Sequence, residues 1–172
     1  MEEKLKHAIR DVADFPRPGI LFKDITPLLS RPELLRETVE AMAAPFRGAG
    51  ISQVLGIESR GFIFGPPLAV ALGAGFVPAR KPGKLPWQTV RESYALEYGE
   101  DALEVHQDAF QSGERVLLVD DLLATGGTAA AAARLVEKTG GHAVGAAFVV
   151  ELTFLGGRAK LPLERIHTLV RF

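Results

Sequence analysis

The chain has 172 residues, 47% of them hydrophobic, which is enough to bury one core with at most a small accessory region. Its 20 Lys and Arg stand against 21 Asp and Glu, a formal net charge of -1, so no global field draws in a nucleic acid backbone. The lack of cysteine removes disulfides, thiolate nucleophiles and every cysteine-based zinc site, and fits a reducing, cytoplasmic setting.

Residues 1–10 are charged and lack the apolar run of a signal peptide, so export by that route is not expected. Leu5, Ala8, Ile9 and Val12 recur at helical spacing and predict an amphipathic first helix ending near Asp14, before Pro16 and Pro18. A loop follows through Thr26. Ser30 and Glu33 have the spacing of a capping box, and Leu35, Val39, Met42 and Phe46 continue an apolar helical face that closes near Gly48 and Gly50. Residues 54–57 and 76–79 read as buried strands flanking a helix through Leu68, Val70 and Leu72. No charge lies between Arg60 and Arg80, but Pro66, Pro67 and Pro78 and four glycines argue for a buried helix and strand rather than a membrane span. From Ser93 to Tyr98 the chain alternates, with Glu97 opposite Tyr94, Leu96 and Tyr98, and Gly99 turns it toward Leu103 and Val105 as a hairpin. Residues 115–120 predict an apolar strand, 129–138 an alanine-rich helix closed by Gly140 and Gly141, and 143–150 another strand. Two βαβ units make an α/β fold with a mostly parallel, twisted sheet flanked by helices the expected architecture.

The chemistry is concentrated in residues 116–128, an apolar strand running into Asp120 and Asp121 and then a small-residue loop at a helix start. Backbone amides, the Thr125 and Thr128 hydroxyls and the close approach that Gly126 and Gly127 permit make that loop a cradle for a monophosphate, favoured by the helix dipole. Ionised carboxylates beside it suit the vicinal hydroxyls of a ribose. No Gly-Lys-Ser/Thr ending of a P-loop exists, and Gly73 and Gly75 meet Pro78 where a dinucleotide fingerprint needs its third glycine. A glycine turn alone would signify only a turn, whereas here thirteen contiguous residues require one explanation. Arg60, Arg80, Lys81 and Lys84 are candidates to neutralise a diphosphate, the last three in a loop punctuated by Pro82 and Gly83 that suits a mobile lid. Phe22, after the Pro18–Gly19 turn, is an aromatic ring able to stack on a base. His7, His106, His142 and His167 show no metal-ligand spacing, and Trp87 receives no role.

Residues 116–128 resemble the phosphoribosyl pyrophosphate signature of the type I phosphoribosyltransferases. Segments 14–27, 58–65, 80–86, 96–99 and 151–153 narrow the resemblance to the adenine-using branch and span most of the chain in the family's order. The resemblance implies one domain over 1–172, with residues 1–30 as a base-binding hood and 80–106 as a flexible loop and hairpin. It implies transfer of a phosphoribosyl group from phosphoribosyl pyrophosphate to adenine, giving AMP and pyrophosphate, with Mg²⁺ as cofactor supported by Asp120 or Asp121 rather than by a dedicated protein cage. Asp120 and Asp121 would then hold the ribose hydroxyls, and Ala124, Thr125, Gly126, Gly127 and Thr128 the 5-phosphate. Ser59, Arg60, Arg80, Lys81 and Lys84 would line the pyrophosphate site, near an unusual cis peptide. Glu97 would be the catalytic group at the reacting sugar. Leu21, Phe22, Lys23 and Leu152 would bind adenine, Lys23 standing where many relatives carry Arg. A homodimer is implied, with the 80–84 loop contributing across subunits, and neither nucleic acid nor membrane is an expected partner. The rival readings are a sibling enzyme for hypoxanthine, guanine or xanthine, and a non-catalytic regulator that binds the same donor.

Overall fold

In the computed structural model, which describes residues 1–96 and 99–172, helix α1 (Glu2–Ala8) buries Leu5 and Ala8. The chain then turns into an antiparallel hairpin of β1 (Arg10–Ala13) and β2 (Leu21–Asp24). The helix expected to reach Asp14 therefore stops at Ala8. Val12 keeps helical spacing with Leu5, but pairing of Arg10 with Asp24 across the hairpin, and an ion pair between Lys23 Nζ and Asp11 at 2.6 Å, hold residues 10–13 extended. Helices α2 (Thr26–Leu29) and α3 (Pro32–Ala43) follow. The expected capping box does not form. Pro32 occupies the first turn of α3 after Arg31, and the Ser30 hydroxyl instead donates to the Pro27 carbonyl at 3.1 Å.

Strand β3 (Gln53–Ile57), helix α4 (Gly61–Leu72) and strand β4 (Gly75–Ala79) form the first βαβ unit. The hairpin of β5 (Thr89–Ala95) and β6 (Glu100–His106) starts four residues before the alternation seen from Ser93. Strand β7 (Arg115–Leu123), helix α5 (Gly127–Lys138) and strand β8 (His142–Glu151) make the second unit. Asp120 and Asp121 thus lie inside this long strand, near its carboxyl end, rather than where it stops. A final strand, β9 (Arg165–Arg171), was not read from the sequence; it buries only Leu169 and Val170 and owes its place to pairing with β8.

The central sheet has the order β4-β3-β7-β8-β9, every pair parallel. Alternation splits its apolar side chains between two cores. Val54, Leu117, Val119 and Val149 pack with Met42 of α3 and Phe64 and Leu68 of α4, while Leu55, Leu118 and Phe148 pack with Ala131 and Leu135 of α5 and with Leu103 of the β5–β6 hairpin. Adjacent strands β3 and β7 therefore send their helices to opposite faces, which opens a crevice at their carboxyl ends, the usual ligand position in such sheets. Among the described residues no helix is long and apolar enough to cross a membrane. One expectation for 61–79 does change: α4 is not wholly buried, with Ile63 38% and Val70 82% exposed.

Candidate active site

The crevice holds two cavities that share Asp120 as a wall. The smaller, about 70 Å³, is lined by Asp120, Ala124, Thr125, Gly126 and Thr128 as β7 gives way to α5. Gly126 makes the turn with φ 82°, a left-handed conformation that favours glycine, and α5 begins directly after it, so its first amides face the cavity end. The larger, about 390 Å³, is lined by Glu58, Ser59, Arg60, Lys81, Asp120 and Asp121. The sequence-predicted phosphate loop and much of the predicted diphosphate set are thus brought to either side of the paired carboxylates. The Glu58–Ser59 peptide is cis, as expected for this region.

Arg60 joins two parts of this crevice. Its Nε lies 2.6 Å from Asp121 Oδ2, and its guanidinium stands 5.3 Å from the centre of the Phe22 ring. Burial raises the pKa of Asp121, and Arg60 offsets part of that rise. Asp120 is raised further, first by burial and then by the neighbouring Asp121 carboxylate. Two adjacent carboxylates facing one cavity are thereby primed to be relieved by a ligand that brings hydroxyl donors or a cation.

The loop after β4 presents its cations already engaged. Arg80 Nε lies 3.2 Å from Glu58, whose carboxylate also accepts the Lys81 amide at 2.8 Å. Burial works against ionisation of Glu58, but the Lys81 amide and Arg80 outweigh it and hold the group below its ordinary value. Lys81 Nζ donates to Asp101 and, at 3.1 Å, to the Tyr94 hydroxyl, both on the β5–β6 hairpin. Lys84 is exposed, and its charge also lowers the pKa of Glu58. Glu97 lies outside the described residues.

At the base end, Phe22 meets Phe15 edge-on at 5.1 Å between centroids, and Leu21 is 51% exposed beside it. Leu152 donates its amide to the Leu123 carbonyl at 3.0 Å, which sets it against the end of β7. The Lys23 ammonium points to Asp11 and lies 3.8 Å from the Phe172 ring centre, so it ties the β1–β2 hairpin to the chain end.

Sequence reasoning missed a support under the phosphate loop. Gly157 packs against Ala124 and Gly126 so closely that a Cβ there would lie 2.8 Å from the Gly126 nitrogen. Its neighbour Arg158 makes a two-pronged pair with buried Glu151, at 3.0 and 2.5 Å, and donates to the Ile166 carbonyl at 2.8 Å. The double glycine at 156–157 was the available signal, but nothing in the sequence says what it packs against.

Fold and crevice together define a phosphoribosyl transferase domain, and the model of that family matches residues 28–166. An adenine phosphoribosyltransferase of Gloeobacter violaceus is 63% identical over 158 residues, 92% of each chain. The solved adenine phosphoribosyltransferase of Rhodothermus marinus superposes with a TM-score of 0.94 at 59% identity, covering 99% of this chain and 97% of that one. That of Saccharomyces cerevisiae, complexed with an imino-altritol bisphosphate and adenine, gives 0.93 at 44% identity over 98% and 97%. The chain belongs to the phosphoribosyltransferase family, in its adenine phosphoribosyltransferase branch.

Proposed function

We propose that the chain transfers the 5-phosphoribosyl group of phosphoribosyl pyrophosphate to adenine, releasing AMP and pyrophosphate. The observation that carries this is the position of Arg60, one guanidinium paired with the Asp121 carboxylate and standing over the Phe22 ring. A sugar held by Asp120 and Asp121 then lies beside a base stacked on Phe22, with the two cavities receiving its 5-phosphate and its pyrophosphate.

In this reading Ala124, Thr125, Gly126, Gly127 and Thr128 grip the 5-phosphate through amides and hydroxyls. Asp120 and Asp121 accept hydrogen bonds from the ribose hydroxyls. Ser59, Arg60, Arg80, Lys81 and Lys84 neutralise the pyrophosphate, while Leu21, Phe22, Lys23 and Leu152 frame adenine, Lys23 chiefly by fixing the hairpin that carries Phe22. The bond from the anomeric carbon to pyrophosphate breaks as a purine nitrogen bonds to that carbon, with positive charge developing on the sugar. Orientation and charge neutralisation supply the rate. Glu97 stabilises that charge or manages the proton on the purine; Glu97→Gln is expected to lower kcat about 10²-fold with unchanged thermal unfolding.

Mg²⁺ fits this donor set. Among the described residues no three metal-ligating side chains converge, and of the two carboxylates Asp121 is already paired to Arg60. That suits a hard cation that takes most of its ligands from phosphate oxygens and water, with Asp120 or Asp121 in support. When bound, it neutralises charge on the departing pyrophosphate.

The domain reading is a single unit over 1–172, with 1–30 as hood and 80–106 as loop and hairpin, acting in the cytoplasm as a homodimer. Helix α4 supports the dimer. It carries no charge on any face, yet Ile63, Pro66, Pro67 and Val70 are exposed, Pro67 and Val70 lining an open groove with Leu35 and Val39 of α3; β4 is the neighbouring edge strand of the sheet. The 80–84 loop leaves that same edge, and its exposed Lys84 is the cation that can reach a partner's crevice. Val70→Glu is expected to shift light scattering from dimer to monomer at micromolar protein.

The activity itself is tested by pyrophosphate release with Mg²⁺ and phosphoribosyl pyrophosphate, offering adenine, hypoxanthine, guanine and xanthine separately. Release with adenine alone is expected. Preference for a 6-oxopurine, or donor binding without turnover, would overturn the reading.

A further inference from the structure

We infer that Asp101 is a placeholder carboxylate: it holds the Lys81 ammonium in the free protein and gives it up to the pyrophosphate of the donor. The inference rests on the assignment of Lys81 to the pyrophosphate site and adds a positioning residue on the β5–β6 hairpin.

The main chain of the loop is held in place by hydrogen bonds. The Lys81 amide donates to Glu58 at 2.8 Å, and Arg80 and Glu104 exchange backbone hydrogen bonds at 2.9 and 2.8 Å. The Gly83 amide donates to the Glu104 carboxylate at 3.1 Å. With the backbone pinned at three residues, an exchange of partners by Lys81 needs only rotation of its long side chain, which already lines the 390 Å³ cavity with Ser59, Arg60 and Asp121.

The pair is suited to exchange rather than to permanence. Its side chains are 37% and 30% exposed, so solvent screens the attraction and a diphosphate of higher charge outcompetes one carboxylate. Asp101 does not become an orphan when Lys81 leaves. Its Oδ1 accepts the Ala102 amide at 2.8 Å and its Oδ2 accepts the Tyr94 hydroxyl at 3.2 Å. Tyr94 is buried and keeps that bond in either state. A satisfied carboxylate waiting opposite the ammonium also draws Lys81 back, which speeds departure of the product pyrophosphate.

The test is a mutant cycle read by titration calorimetry with magnesium pyrophosphate, and by steady-state kinetics. Asp101→Asn retains the acceptor for Ala102 but loses the charge; it is expected to tighten pyrophosphate binding about three- to tenfold and to lower the KM for donor, without raising kcat. Tyr94→Phe, which loosens the same tie, is expected to shift binding in the same direction by about twofold and serves if Asp101→Asn unfolds. In a Lys81→Met background Asp101→Asn is expected to change nothing. Unchanged or weaker pyrophosphate binding by Asp101→Asn, with Lys81→Met still weakening it, overturns the placeholder and leaves the site assignment standing. Lys81→Met with wild-type pyrophosphate affinity overturns the assignment and the inference together.

Discussion

Asp121→Asn is expected to lower kcat/KM for phosphoribosyl pyrophosphate about 10²-fold, the worth of one charge-assisted hydrogen bond to a ribose hydroxyl. It also leaves Arg60, now 2.6 Å from that carboxylate, without its charge partner beside the Phe22 ring. Asp120→Asn should cost activity similarly but stabilise the free protein. Burial and Asp121 raise the Asp120 pKa, so the folded chain holds its proton more firmly than the unfolded one. That contribution to stability is fully present below the unfolded pKa of about 3.9 and is lost as pH rises through the raised folded value. An asparagine does not titrate, so the gain grows as pH rises, reaching about 1 kcal/mol, or roughly 2–4 °C for a chain of this size, near neutrality. Thermal unfolding of both proteins from pH 4 to 8 checks this; a constant difference across that range would refute the charge account. In the proposed site activity moves the other way, because the ionised carboxylate accepts from ribose hydroxyls more strongly than the neutral acid, and its acid limb is expected above the ordinary carboxylate range.

Gly157→Ala is expected to raise the KM for donor about 10- to 100-fold and to cost about 1–3 kcal/mol of stability. The reason is steric. A Cβ there would meet the Ala124 carbonyl and lie 2.8 Å from the Gly126 nitrogen, so the phosphate loop must shift to admit it. Gly156→Ala separates this from backbone strain. Gly156 has φ 64° in open space, so its replacement should cost about 1–2 kcal/mol while leaving the KM in place. Similar KM values for the two variants would mean that the packing of Gly157 does not shape the loop.

Local pattern carried much of the fold. The apolar strands β3, β7 and β8 and helix α5 lie within a residue or a few of their expected bounds, because the strands are apolar runs and the helix is closed by Gly140 and Gly141. Where local and distant forces competed, the pattern misled. Residues 10–13 have helical spacing but pair with 21–24, and β9 has two buried residues and no identity apart from β8. The capping box failed because the helix starts at Pro32, which puts Arg31 rather than Ser30 at the N-cap.

The candidate site divides along the same line. The carboxylate pair, the small-residue loop and the cations were legible because a strand-to-loop-to-helix phosphate cradle is a contiguous stretch of chain, written in one order. What occupies each charge was not. The pairing of Arg60 with Asp121, of Arg80 with Glu58 and of Lys81 with Asp101 joins residues 20 or more positions apart. Sequence by itself determined the two βαβ units, the candidate phosphate loop between β7 and α5 and the family resemblance, since each rests on near neighbours. Only the tertiary structure decided that Arg60 pairs with Asp121 beside the Phe22 ring, that Gly157 packs against Ala124 and Gly126 and that Asp101 holds Lys81. Those contacts depend on which strand ends and loops meet in space, and the parallel sheet sets that through long connections that leave no local trace.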